Sequence, residues 1–142
     1  MKSIILFSFI IIVSCAGRSI TDPLVISNDL NAVKKSINND RNYILKIKNM
    51  RQGKSGFYYI LDNDGKVIYH PHALLVGRSF KKFWFVKGIL KNKSGCYRYV
   101  LGNREHLIFF DKLNKREIIC LSIPSAEVIN YSGKCKAISR QE

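Results

Sequence analysis

Gly56-Phe57-Tyr58-Tyr59-Ile60-Leu61-Asp62-Asn63-Asp64-Gly65-Lys66-Val67-Ile68-Tyr69-His70-Pro71 is the stretch that decides the fold. Its opening run is aromatic and β-branched, the composition of a strand. Asp62-Asn63-Asp64-Gly65 is a turn: the short polar side chains bond nearby backbone groups, and the glycine takes positive φ without a steric penalty. Lys66 to His70 is the returning strand. Pro71 ends it, because proline has no N–H to give to a ladder. The whole stretch predicts a β-hairpin.

Upstream, Thr21-Asp22-Pro23 reads as a helix start, with a capping side chain before a proline at the first helical position. Leu30, Val33, Ile37, Ile44 and Ile47 follow at spacings of three, four and seven. That is one apolar helical stripe, interrupted near Asp40-Arg41. Asp22 and Asp29 lie early and Lys46, Lys48 and Arg51 late, as the helix dipole favours. Gly53 suits the stop. One long helix over 23–51 is expected.

Downstream, residues 72–94 read as irregular or weakly helical, yet carry apolar side chains from Leu74 to Leu90 that need a surface to pack on. Three further strands are expected at about 95–101, 105–111 and 117–123, with turns at Gly102-Asn103 and Asn114-Lys115. Leu107-Ile108-Phe109-Phe110 and Ile118-Ile119-Cys120-Leu121 are apolar on successive residues, which requires a sheet covered on both faces. The long helix would cover one face and the 72–94 segment the other. From Pro124 the chain enters a short final helix or a tail. The expected class is α+β, with a long N-terminal helix packed on a five-stranded antiparallel sheet.

The chain begins with a positive charge at Lys2, a short apolar run and the small residue Ser14 before Cys15, the layout of a secretory signal. A bilayer-spanning helix needs about 20 apolar residues, and this run is shorter. Ile12-Val13-Ser14-Cys15 resembles the lipobox of bacterial lipoproteins. That resemblance implies a diacylglyceryl group on the Cys15 thiol and cleavage just before it. Residues 1–14 are then a signal peptide, 15–21 a lipidated tether, 22–131 the domain and 132–142 a C-terminal tail. Acyl chains anchor by roughly 0.8 kcal/mol per buried CH₂. The alternative is an ordinary secreted protein in which Cys15 is incidental. Either way the expected location is outside the cytoplasm; with the anchor, it is the cell envelope, facing the periplasm or the exterior.

Roughly 130 residues remain after cleavage, enough for one domain with a core. A hydrophobic fraction of 46% and an aromatic fraction of 11% exclude a disordered chain. The formal net charge of +14 invites a nucleic-acid reading, but export argues against it and no block of like charges forms. Lysines scattered in this way suit adhesion to anionic surfaces, attraction of anionic ligands, or simply a solvated exterior. With Cys15 acylated, Cys96, Cys120 and Cys135 allow one intrachain disulfide at most. The sequence does not choose the pair; Cys120 and Cys135 are nearest along the chain.

The order helix, two strands, connecting segment, three strands outlines a PAS-like fold. Residues 56–71, with a glycine-aromatic strand, an acidic-glycine turn and a strand ending in His70-Pro71, resemble the core of a single Cache domain. Leu75-Val76-Gly77-Arg78-Ser79-Phe80 is similar to the leucine-x-glycine-basic step that follows in that family. Ser122-Ile123-Pro124-Ser125-Ala126-Glu127-Val128 resembles the motif closing the last strand. The likeness covers about 22–130. It departs from the family at Ile118-Ile119-Cys120, where a tryptophan is common. It also departs in having no following membrane helix and signalling domain. The resemblance implies an extracytoplasmic module that binds a small solute; from the second departure, no output domain of its own is expected.

In that family the pocket lies between the sheet and the segment joining the second and third strands, which points to residues 69–86 and one sheet face. Tyr59, Tyr97 and Tyr99 are candidates for offering hydroxyls to a ligand, or are ordinary core aromatics. Arg98, mid-strand between two tyrosines, either holds a carboxylate bidentately or reaches solvent at a sheet edge. Trp84 is a pocket wall, a cation cage or a core plug. His70 is a ligand candidate or a structural part of the His-Pro turn. His70-Pro71-His72 lacks the further ligands a metal site needs. Gly53-Lys54-Ser55-Gly56 lacks the first glycine and the preceding strand of a phosphate-binding loop. No nucleophile-base pair or carboxylate pair is evident around Cys96 or elsewhere.

No enzyme, cofactor or metal is therefore expected. The reading is a lipid-anchored solute-binding or sensing module whose ligand is a small carboxylate or an amino acid. It is held to the membrane by Cys15 and is open to a receptor or envelope-protein partner. The alternative is a lipoprotein using the fold as an interaction surface for a protein or an anionic polymer.

Overall fold

The computed structural model describes residues 22–37 and 42–140. The hairpin forms as expected, from β2 (Gly56–Asp62) and β3 (Val67–Tyr69), with the short β1 (Arg51–Gln52) ahead of them. Asp62 Oδ1 accepts the N–H groups of Asp64 and Lys66 at 2.9 and 2.8 Å, and Gly65 sits at φ +81°, so the turn residues do what their chemistry suggests. Three long strands follow: β4 (Gly95–Leu101), β5 (Arg104–Lys112) and β6 (Glu117–Pro124). Then comes β7 (Lys136–Ala137). The sheet order is β1-β2-β6-β5-β4-β7, with β3 also on β2. The first long strand thus pairs with the last, Ile60 opposite Ile119.

Two expectations need correction. The five-stranded antiparallel sheet is a seven-stranded one, because β1 adds to β2 and β7 adds to β4, the latter in parallel. The helix expected over 23–51 is two helices, α1 (Pro23–Ile37) and α2 (Tyr43–Lys48), and the residues after α2 open β1. The polar run from Asn38 to Asn42 separates them. Short polar side chains compete for backbone hydrogen bonds and weaken a helix interior. At the start, Asp22 Oδ1 accepts the Leu24 N–H at 2.8 Å and caps α1. The leader, the tether and Cys15 lie outside the described residues, within which no helix is long and apolar enough to cross a membrane.

Both sheet faces are covered. On one, Ile26, Leu30 and Ile37 of α1 and Ile47 of α2 pack on Tyr58, Ile60, Leu107, Phe109, Ile119 and Leu121. On the other, α3 (Trp84–Asn92) lays Phe85, Val86 and Ile89 on Tyr59, Tyr97, Tyr99, Ile108, Phe110 and Cys120. The alternation of strand side chains produces these two cores from strands apolar at nearly every position. At the α3 contact, a Cβ on Gly88 would come within 2.9 Å of the Tyr97 ring, so the helix sits on that tyrosine through a glycine.

The residues expected as a tail are tied in. Cys135 forms a disulfide with Cys96, across a sequence separation of 39, and Ile138 packs against the α3-side core. Among the described residues Cys120 is the free thiol, and it is buried. It faces α3, whereas Cys96 and Cys135 face α1, so the pair nearest along the chain is split by the sheet.

The Gly53-Lys54-Ser55 turn holds a carboxylate of the protein itself. Glu127 Oε2 accepts the Lys54 and Ser55 N–H groups at 2.8 and 3.2 Å, and the Ser55 hydroxyl donates to Oε1. Burial pushes the Glu127 carboxyl up, but these hydrogen bonds outweigh it and hold its pKa below the ordinary value. A depressed carboxylate contributes stability that is complete above the unfolded-state pKa and is lost as pH falls through the folded one. Glu127→Gln is therefore expected to cost about 1 kcal/mol at neutral pH, discounted for solvent screening. Urea midpoints of the two proteins should converge on acidification; a gap unchanged at pH 3 would contradict the charge's role.

Candidate functional site

His70, Phe80 and α3 lie over one face of the sheet, where most of the aromatic side chains meet, whereas residues 71–79, expected to help cover that face, are largely exposed and bond alongside β3, the Gly77 N–H to the Val67 carbonyl at 2.8 Å. His70 rests against Phe57, Tyr59 and Phe80, with ring centroids 5.2, 5.6 and 6.4 Å away. Its Nδ1 accepts the His72 N–H at 2.9 Å, so the imidazole closes the His-Pro turn. Burial, and then the neighbouring His72, lower its pKa and favour the neutral ring. At the other end of the face, Tyr99 stacks between Phe85 at 4.4 Å and His106 at 5.7 Å, and Trp84 packs edge-on at 6.5 Å.

The Tyr97 hydroxyl is taken by protein groups, and those of Tyr59 and Tyr99 are buried in the fold. Tyr97 donates to the Gly88 carbonyl at 3.3 Å and accepts from the Asn92 amide. Tyr59 lies beside Cys120 and Tyr99 beside Ser122. Burial drives the pKa of Tyr59 well above the usual value and raises that of Tyr99. Burial also raises the Cys120 thiol, which leaves it protonated and unreactive.

Arg98 is on the opposite face from Tyr97 and Tyr99. Its Nε lies 3.7 Å from Glu105 Oε2, and the other Glu105 oxygen accepts the Tyr131 hydroxyl at 2.7 Å. The structure thus groups Tyr59 with His70 and Trp84 with Tyr99, but does not place Arg98 among the hydroxyls. Neighbouring strand residues point to opposite faces, so the Tyr-Arg-Tyr run divides.

Open space lies at the edge of this layer. A cavity of about 880 Å³ is bounded by the start of α3, the end of β4 and residues 137–140. Trp84, Tyr99, Val100 and Ile138 supply apolar walls, and Lys82, Lys87, Arg98 and Arg140 surround it, with Glu105 as the opposing charge. The Trp84 indole N–H is buried with no hydrogen-bond partner among the described residues. A buried donor left unpaired costs about 1–3 kcal/mol. The cations fall at isolated positions in the sequence, and Arg140 is distant along the chain. No motif or period marked Lys82, Lys87 or Arg140, and only the fold brings them to one rim.

No protein-family model matches the chain, and no curated protein matches it. Solved structures do. The chain is similar to the periplasmic sensor domain of a chemotaxis protein, with a TM-score of 0.54 and 13% identity over 71% of this chain and 91% of that one. A Cache chemosensory domain studied for carboxylic acid recognition gives a TM-score of 0.51 and 15% identity over 71% of this chain and 82% of that one. The ligand-binding domain of Mlp24 with asparagine gives a TM-score of 0.50 and 20% identity over 61% of this chain. Only 35% of that domain is covered, so this chain spans about a third of its length. At such identities the likeness is one of fold. The described residues have the PAS-like α+β fold of a single Cache domain.

Proposed function

We propose that the chain is a lipid-anchored extracytoplasmic module that senses a small anionic solute, a carboxylate or an amino acid. The observation that carries this reading is the cavity beside Trp84 and Tyr99. Its cationic rim complements an anion, and its apolar walls limit competing water. Neighbouring folds named for asparagine and for carboxylic acid recognition support the ligand class. Tyr59, His70, Tyr97 and Tyr99 support the cavity by fixing the aromatic face behind it, and Trp84 contacts the solute. Arg98 acts from the rim through its pairing with Glu105. Transmission needs a protein partner, such as a receptor or envelope protein.

The test is thermal unfolding of the detergent-solubilised chain against amino acids, small carboxylates, amines and nucleobases. A ligand at 100 times its Kd adds about 2.7 kcal/mol, a shift of several degrees. A carboxylate or amino-acid hit should vanish in Lys82→Glu/Lys87→Glu and persist in His72→Ala. Silence across the library, or a hit indifferent to the two lysines, would reject this site. The anchor is tested separately: a clickable fatty acid should label the wild-type chain in bacteria and leave Cys15→Ser unlabelled.

A further inference from the structure

Between Asp64 and Glu105 every charged side chain is a lysine or an arginine. This acid-free stretch folds into the α3 layer and β4. On α3, Phe85, Val86 and Ile89 face the sheet, while Lys87 and Lys91, one turn apart, are exposed. Lys81 and Lys82 are exposed just before the helix. The second observation is apolar. Phe83, Val100 and Leu101 are 39%, 54% and 49% exposed. All three border the same cavity as Lys82 and Lys87, so apolar and cationic side chains share one surface. Val100 and Leu101 lead into the turn between β4 and β5, where no other side chain or backbone comes within 4 Å of a Cβ built on Gly102. Glu105, also at this rim, is already engaged by Tyr131 and Arg98.

We propose that the β4–β5 tip, Phe83 and the flanking lysines form a docking surface for an anionic lipid bilayer. Phe83, Val100 and Leu101 enter the boundary between headgroups and acyl chains, and Lys82 and Lys87 meet lipid phosphates. A soluble anionic polymer would use the lysines and leave the three apolar side chains in water. Their presence among the cations favours the bilayer. Docking requires no solute in the cavity, so it stands or falls independently of the sensing function.

Trp84 is the single tryptophan, which makes fluorescence a local probe. The full chain is reconstituted into vesicles of phosphatidylcholine brominated on its acyl chains, alone or mixed with phosphatidylglycerol. Comparing the two compositions separates docking from attachment through the N-terminus. Tip emission is read from Leu101→Trp in a Trp84→Phe background, an exchange at an exposed position. Native Trp84 in the unaltered chain is the second measurement. The expected result is quenching and a blue shift in the anionic vesicles only, with docking weakened by more than about tenfold in Lys82→Glu/Lys87→Glu. Equal quenching in neutral vesicles, no quenching in anionic ones, or a charge-reversed variant that behaves like its parent would overturn the proposal. Binding to heparin with tip emission unchanged on anionic vesicles would assign the lysines to a polymer and overturn it as well.

Discussion

Replacing Cys96 and Cys135 together by alanine is expected to cost about 4 kcal/mol, the loop-closure value for a bridge of this span. The two cysteines are separated by 39 residues, and between them lie β5, β6 and the turn that follows. The bond also fixes local structure. It leads directly into β7, which pairs with Tyr97 and Arg98 on β4, and Ile138 then donates to the Arg98 carbonyl at 2.9 Å. A two-residue parallel strand has little stability of its own. Without the bridge, residues 136–140 should detach, and with them the Ile138 and Arg140 side of the cavity. The measurement is a urea titration of the double variant beside wild type with and without reductant. Reductant should lower the wild-type midpoint to that of the variant and leave the variant unmoved. Equal midpoints in all samples would mean that the bond contributes nothing.

Tyr99→Ala should cost about 3–4 kcal/mol, within the range for truncating a large buried aromatic. The ring is sandwiched by Phe85 and His106 and buttresses Trp84, so its removal leaves a void that a β-strand cannot close by moving. Tyr99→Phe keeps the ring and loses one buried hydroxyl beside Ser122, a change of about 1 kcal/mol. Denaturant unfolding of both variants separates ring from hydroxyl. If Tyr99→Phe proves as damaging as Tyr99→Ala, the packing account fails. The phenylalanine variant should also keep any solute-induced thermal shift, because that hydroxyl is directed to the protein.

The hairpin at residues 56–71 was legible because every local signal agreed: β-branched and aromatic strands, an Asp-Gly turn, a terminating proline. Coverage of both sheet faces was legible from the unbroken apolar runs in β5 and β6. The helix pattern was less secure, since Ile44 continues the stripe of Leu30 and Ile37 in spacing but not in burial, and α1 ends at Ile37. The disulfide was not legible. Chain proximity favours Cys120 with Cys135, while the pleat sends Cys120 to the α3 side. The site was legible in part. Tyr59, His70, Trp84, Tyr97 and Tyr99 do lie on one face, but most of their polar atoms are spent within the fold. Three of the cations at the cavity rim fall in the acid-free stretch before Glu105, but only the fold shows that Lys82, Lys87 and Arg98 meet one another and Arg140.

The pairing of β2 with β6 also governs when this chain can fold. Ile60 pairs with Tyr69 in the hairpin, but its other side has no partner until Ile119 arrives, so the β2–β6 ladder at the middle of the sheet cannot close on a chain still emerging from the ribosome. Until then only local pieces are available: the first hairpin, the β4–β5 ribbon and isolated helices, each marginal alone. Contacts this distant along the chain also slow folding once synthesis ends. The topology therefore keeps the newly made polypeptide from closing its central sheet until β6 is complete.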